Sequence, residues 1–178
     1  MSFKIRRAVI QDAAELAYIR INAWNEAYRE LIPPQTLEDA TKFEDNYVMY
    51  QKEILKPGHT LHVALYNNIP IGVFSLDKSE DADMSEDTCE LKEINFIPQY
   101  WNKGLGKRTY KSIRKIAKMR RFTKVSCWVY ERNTRARHFF ETCGFTDEGA
   151  RRTTEIGTPI EEMRYLKVEF DKEDSETE

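Results

Sequence analysis

Residues 96–107 read Phe96-Ile97-Pro98-Gln99-Tyr100-Trp101-Asn102-Lys103-Gly104-Leu105-Gly106-Lys107, and their types suit the binding of an anion. A strand-like run ends, a loop turns, and an amphipathic helix begins after Gly104. The first N–H groups of a helix have no intrahelical partner and lie at the positive end of its dipole. Glycines at 104 and 106 remove the side chains that would hold a phosphate away from those amides, while Lys103 and Lys107 add full charges. On this spacing alone, an ordinary two-glycine loop is an equal reading. The stretch is not a P-loop, because Gly-x4-Gly-Lys-Ser/Thr is absent, and it lacks the third glycine of a dinucleotide fold.

Other chemistry is sparse. No Gly-x-Ser-x-Gly elbow is present. Cys89, Cys127 and Cys143 are odd in number and widely spaced, which fits reduced, packed thiols rather than a disulfide framework. The three histidines, at 59, 62 and 138, have no Cys or acidic neighbours at ligand spacing, so no metal site is expected. Two carboxylates, Glu90 and Glu93, lie on the strand that leads into the glycine turn. They have opposite parity, so one of them faces a cleft if the strand borders one.

The elements that would position these groups follow from periodicity. Phe3–Ala8 alternates as a first strand. Asp12 with Glu15 has capping-box spacing, and Leu16, Ile19, Ala23 and Ala27 continue helically to about Arg29. Pro33-Pro34 breaks the chain before a second stripe, Phe43, Tyr47, Tyr50 and Ile54. Strands are expected at His62–Tyr66 and Ile71–Leu76 around an Asn67-Asn68 turn, then at Cys89–Ile97. Tyr110, Ile113, Ile116 and Ala117 mark a helix, Val125–Tyr130 a strand, and Thr134–Thr142 a helix stopped by Gly144. Phe145–Arg152 and Met163–Phe170 complete seven strands. The order β-α-α-β-β-β-α-β-α-β-β implies an α/β or α+β class, with a mixed sheet and helices on both faces. Residues 1–170 read as a single domain and 171–178 as an acidic, frayed tail.

Glu90-Leu91-Lys92-Glu93-Ile94-Asn95-Phe96-Ile97-Pro98 and the Gly104-Leu105-Gly106 turn resemble the strand and pyrophosphate loop of GCN5-related N-acetyltransferases. Asn133-Thr134-Arg135-Ala136-Arg137-His138-Phe139-Phe140-Glu141-Thr142-Cys143-Gly144-Phe145 is similar to that family's Asn-x-x-Ala-x-x-Phe-Tyr-x-x-x-Gly-Phe segment. The two motifs stand one helix and one strand apart, and the element order matches the family's mostly antiparallel seven-stranded sheet over residues 3–170.

The resemblance implies acetyl-coenzyme A as co-substrate and direct transfer of acetyl to a primary amine while both are bound. Phe96, Ile97, Trp101, Lys103, Gly104, Leu105, Gly106, Lys107, Asn133, Phe139 and Phe140 are then the donor-binding residues. Strand amides near Phe96 and Ile97 would hold the acetyl carbonyl and pantetheine arm, and Asn133 would contact the pantetheine or cap its helix. Glu90 matches the position at which some members place a general base. An alkylammonium, with a reference pKa near ~10.4, must lose a proton before it attacks.

Two positions depart from the family pattern. Trp101 replaces its usual Arg or Gln, and Phe140 replaces a Tyr that protonates the departing thiolate. Water or Tyr130, at the end of the preceding strand, would then supply the proton, and a catalytically impaired, coenzyme-A-binding regulatory protein is the alternative. Trp24-x3-Tyr28 with Leu31-Ile32-Pro33 resembles the first-helix segment of bacterial small-molecule and polyamine acetyltransferases, where it lines the acceptor side; core packing explains it equally.

Charge frames the partners. The 28 basic and 30 acidic residues leave a net charge of −2, which disfavours nucleic acid despite ten Lys or Arg and no acidic residue from Lys103 to Lys124. A nucleic-acid-associated module using that helix is the second alternative. The acidic loop Glu80–Asp87 would favour a cationic acceptor if it bordered the acceptor mouth. The acceptor is expected to be a small-molecule or peptide amine, and a homodimer is compatible with the resemblance. With no apolar run near ~20 residues and no leader pattern, a cytoplasmic location without membrane contact is expected.

Overall fold

The computed structural model describes residues 2–170; the expected acidic tail, 171–178, lies outside the described residues. Seven strands form one sheet in the order β1-β2-β3-β4-β5-β7-β6. In chain order they are β1 Phe3–Arg7, β2 Leu61–Tyr66, β3 Ile69–Lys78, β4 Thr88–Phe96, β5 Lys124–Tyr130, β6 Thr146–Glu155 and β7 Pro159–Val168. The helices are α1 Ala13–Tyr28, α2 Pro34–Ala40, α3 Phe43–Leu55, α4 Leu105–Met119 and α5 Thr134–Thr142. The pairs β1/β2, β2/β3 and β5/β7 are antiparallel. β4 and β5 are parallel, with the ladder running from Thr88↔Lys124 to Glu90↔Ser126. A parallel pair needs a crossover, and α4 supplies it.

The chain divides into two compact units. The first comprises Met1–Ser75, Glu93–Gly106 and Glu155–Thr158; the second comprises Leu76–Lys92, Lys107–Thr154 and Pro159–Glu178.

In the first unit, Asn67 and Asn68 both adopt positive φ, 50° and 66°, which gives the tight turn that joins β2 to β3. The ladder shifts register between Ala64 and Leu65, so successive partners on β3 are Gly72 and Pro70. Ala13, Leu16, Ala17 and Ile19 of α1 pack with Tyr50 and Ile54 of α3 and with Leu61, Val63 and Val73 of the strands. A second cluster joins Ala64, Ile71, Phe96 and Leu105, with Tyr100 and Trp101 against it. Burying each such aliphatic or aromatic side chain stabilises the fold by roughly 1.5–3 kcal/mol.

Two local expectations are corrected here. Asp12 does not cap α1 through its side chain. Its carboxylate accepts from Arg6 at 2.7 and 2.8 Å and from the Val9 amide at 2.8 Å, because a charged, bidentate partner outcompetes a backbone amide. The chain break at Pro33-Pro34 opens an additional short helix, α2, with Pro34 in its first turn, where a missing N–H costs nothing.

In the second unit, Tyr110, Ile113 and Ala117 form the buried stripe of α4, and Val125, Cys127 and Val129 the buried face of β5. Asn133 caps α5, accepting from the Ala136 amide at 3.0 Å, and Gly144 follows the helix at φ 87°. Phe140, Phe145 and Tyr165 pack ring against ring.

Candidate active site

The glycine turn lies in the first unit as far as Gly106. Asn102 and Gly104 both have left-handed backbone, φ 58° and 74°, and a side chain built at Gly104 would meet nothing within 4 Å. A turn of this hand directs successive amides toward one concavity, a shape that suits an oxyanion group. Lys103 is exposed, with its ammonium 5.4 Å from the Tyr100 ring centroid. The Leu105 side chain is buried in the core, so that residue can offer a ligand little beyond its backbone.

The strand end is fixed from three sides. Phe96 is 8% exposed. Its ring covers Gly72 so closely that a Cβ there would lie 2.5 Å from Phe96 Cε1. Its carbonyl accepts the indole N–H of Trp101 at 2.7 Å. The Ile97 amide donates to the Ile71 carbonyl at 2.9 Å, and the Ile97 carbonyl accepts from Tyr100 at 2.9 Å. Ile97 N–H is therefore occupied by the sheet and does not serve as the expected donor to an acyl carbonyl. Backbone groups alternate between the two edges of a strand, so the Phe96 amide is turned to the edge away from β3.

On α1, Trp24 and Tyr28 contact each other with ring centroids 5.0 Å apart and both rings half-buried. Arg20 lies over the Trp24 ring at 3.9 Å. On β4, Glu93 accepts from the Tyr50 hydroxyl, from Asn95 Nδ2 at 2.7 Å, and stands 3.6 Å from Arg20. Arg20, Asn46 and Tyr50 carry no motif, and their side chains meet only through folding.

In the second unit, Glu90 is half-buried and has neither hydrogen-bond nor ion-pair partner among the described residues. Burial pushes its carboxyl above the usual range. Lys92 and Arg152 pull it down, while Asp81 and Glu80 push it further up. Tyr130 is 7% exposed at the end of β5. The Asn133 side chain, 9% exposed, uses its oxygen as the α5 cap and keeps its Nδ2 without an acceptor among the described residues. Phe139 is half-buried beside Phe140, and Phe140 is enclosed by the rings of Phe139, Phe145 and Tyr165. Lys107 is exposed in the first turn of α4.

The cysteines are structural. Cys127 is buried and held far from thiolate by desolvation, and Cys89 is pushed up to about 12 by the same cause. Among the described residues no group of three His, Cys, Asp or Glu is placed to hold a metal.

Every carboxylate of the 80–87 loop has a partner inside the unit. Arg164, its side chain 4% exposed, binds Asp81, Asp83 and Glu148, and Trp128 Nε1 donates to Asp81 at 3.0 Å. Glu80 pairs with Lys92, Glu86 with Lys78, and Asp87 with Thr123 and Lys124. The loop is thus tied to the sheet through Arg164 rather than presenting free charge. The basic stretch is likewise divided. Arg114 pairs with Glu169 and Arg120 donates to the Leu76 carbonyl, while Lys107, Lys111 and Lys115 stand exposed.

Comparison with known proteins agrees with this architecture. A family model described as the acetyltransferase (GNAT) family matches residues 21–145. Among solved structures, the PaiA N-acetyltransferase of Thermoplasma acidophilum in complex with coenzyme A superposes with a TM-score of 0.73 at 21% identity, over 92% of this chain and 98% of that one. A GCN5-related N-acetyltransferase from Rhodopseudomonas palustris gives 0.75 at 17%, over 94% and 96%. YncA of Salmonella typhimurium, solved with acetyl-CoA, gives 0.68 at 16%, over 96% of both chains. At these identities the likeness is one of fold.

Proposed function

The chain belongs to the acetyltransferase (GNAT) family, and on that premise we propose that it transfers acetyl from acetyl-coenzyme A directly to a primary amine. The observation that carries the proposal is the left-handed Asn102–Gly104 turn at the start of α4, open where a side chain would stand. Its amides, with Lys103 and Lys107, fit a pyrophosphate. Asn133, its Nδ2 without an acceptor among the described residues, and the half-buried Phe139 fit the pantetheine arm.

The donor supplies an acetyl thioester; the protein supplies position and proton transfer. Glu90 takes the proton from the acceptor ammonium. Its raised carboxyl suits that task, since a base works best when its own pKa approaches the working pH. The Phe96 amide is the backbone donor turned to the carbonyl, now that Ile97 is committed to β3. Tyr130 gives a proton to the departing thiolate, a modest demand because a thiol's reference pKa is near ~8.5.

A second reading rests on Phe140, whose ring offers no proton and is enclosed by other aromatics; it makes the chain a non-catalytic coenzyme-A-binding protein. Thiol release from acetyl-coenzyme A, measured across a broad amine panel, separates the two. Release with any amine establishes transfer. Stabilisation by acetyl-coenzyme A without release favours the second reading, and absence of both overturns the proposal.

A further inference from the structure

Within the second unit, the Trp128 ring holds two opposite charges in place. Trp128 pairs across the sheet with Arg164 of β7, and Ser126, two residues earlier on β5, pairs with Glu90 of β4. Ladder partners and residues two apart share a face, so Glu90, Trp128 and Arg164 project from the same side of the sheet. Glu162, opposite Tyr130, lies on that side as well. The indole N–H donates to Asp81 Oδ2 at 3.0 Å, and the same oxygen accepts from Arg164 Nη1 at 3.0 Å. The Arg152 guanidinium lies over the ring, 4.3 Å from its centroid, and its Nε donates to Glu162 Oε2 at 2.7 Å. Its Nη groups have no acceptor among the described residues.

Both charges act on Glu90. Burial pushes its carboxyl up, Lys92 and Arg152 pull it down, and Asp81 and Glu80 push it further up. Cys127, on the opposite face of β5, is kept a thiol by burial, with the Glu90 charge adding to the effect. Two of the charges near Glu90 come with their own counter-charges: Lys92 stands 3.5 Å from Glu80, and Asp81 is bound to the buried Arg164. Arg152 has Glu162, but the backbone of Glu162 lies opposite Tyr130, four residues beyond Ser126 and one strand further from β4. The guanidinium above Trp128 is therefore a cation held beside Glu90 by a ring face rather than by Glu90 itself.

We propose that Arg152, stacked on Trp128, is a positioning residue for acetyl transfer that keeps the Glu90 carboxylate charged and able to take the acceptor's proton. This rests on the reading of Glu90 as the base. A half-buried carboxylate that must ionise near neutrality needs a cation close by. It must not be locked in a direct ion pair, which would make it a poor proton acceptor. Arg152 meets both conditions, since no ion pair joins it to Glu90 among the described residues.

The test reads Glu90 directly, by NMR titration of its carboxyl carbon in the full chain, beside the pH profile of kcat/KM for any amine that turns over. Arg152→Gln is expected to raise the NMR midpoint by about half a pH unit and to move the acid limb of kcat/KM up with it. The variant is then about threefold slower below the limb, and the two rates converge as pH rises. Arg152→Lys keeps the charge and is expected to restore most of both. Because the Arg152 side chain is 41% exposed, about 0.5 M salt should shrink the difference between wild type and Arg152→Gln. Circular dichroism checks that both variants fold. An Arg152 that served packing alone would slow the enzyme equally at every pH and leave the midpoint in place. That result, or a midpoint that falls, overturns the proposal. If the midpoint rises while the acid limb stays, or no amine turns over, the reading of Glu90 as the base fails separately and the coupling of Arg152 to Glu90 stands.

Discussion

The indole N–H of Trp101 donates to the carbonyl of Phe96 at 2.7 Å, tethering the start of the glycine turn to the end of β4. The side chain that replaces the family's usual Arg or Gln thus acts on the loop from within. Trp101→Phe keeps an aromatic ring and deletes the tether. One net hydrogen bond is worth about 1 kcal/mol, so acetyl-coenzyme A should bind about three- to tenfold more weakly by calorimetry. An unchanged Kd would show that the tether does not order the turn.

The two glycines near this point should fail for different reasons. At Gly104 there is room for a methyl group but φ is 74°, so Gly104→Ala costs about 1 kcal/mol of backbone strain. At Gly72 a Cβ would lie 2.5 Å from the Phe96 ring, and overpacking of that kind costs roughly 1–3 kcal/mol. Urea unfolding should therefore rank Gly72→Ala as the less stable protein. Gly104→Ala should show the larger loss of donor affinity relative to its loss of stability.

What was legible in the sequence was local. Asn67-Asn68 makes its turn, Asn133 caps α5, and Gly144 ends it, because each effect acts within a few residues. The seven strands and their order of appearance follow from periodicity in the same way. Arg164 binding Asp81 and Asp83, more than eighty positions earlier, leaves no spacing to read. The same holds for Tyr50 on Glu93 and Arg20 on Asn46. Ile97 illustrates the limit from the other side: its place beside the turn was evident, but its amide was already promised to Ile71 by sheet register.

Arg164 concentrates three carboxylates on one buried cation, so its removal should be costly and pH-dependent. Arg164→Met leaves Asp81 and Glu148 without their counter-charge, a loss of about 3 kcal/mol by urea unfolding near neutral pH. The Arg164 guanidinium holds the Asp83 carboxyl below its ordinary value. Such a group stabilises the fold above the unfolded-state pKa and loses that contribution as pH falls through the folded value. The gap between wild type and variant should therefore narrow as pH falls below about 4. A gap that stayed constant with pH would mean that packing, not charge, makes Arg164 matter.

Glu90 should show the opposite linkage. Burial raises its folded-state carboxyl, so its stabilising contribution is full below the ordinary Glu range and is lost as pH rises through the raised value. Above that raised value the protein carries a partly buried carboxylate without an ion-pair partner among the described residues. Glu90→Gln removes that charge while keeping shape, so the variant should melt at or above the wild-type temperature near neutrality. The difference should fade toward about pH 4, where both side chains are neutral. Activity should move the other way. Wild-type kcat/KM should fall as pH drops through the raised Glu90 value, because the base must be ionised, and the variant should be slower by about a hundredfold with that limb missing. A variant that is slower but keeps the same acid limb would assign the titration to another group and remove Glu90 as the base.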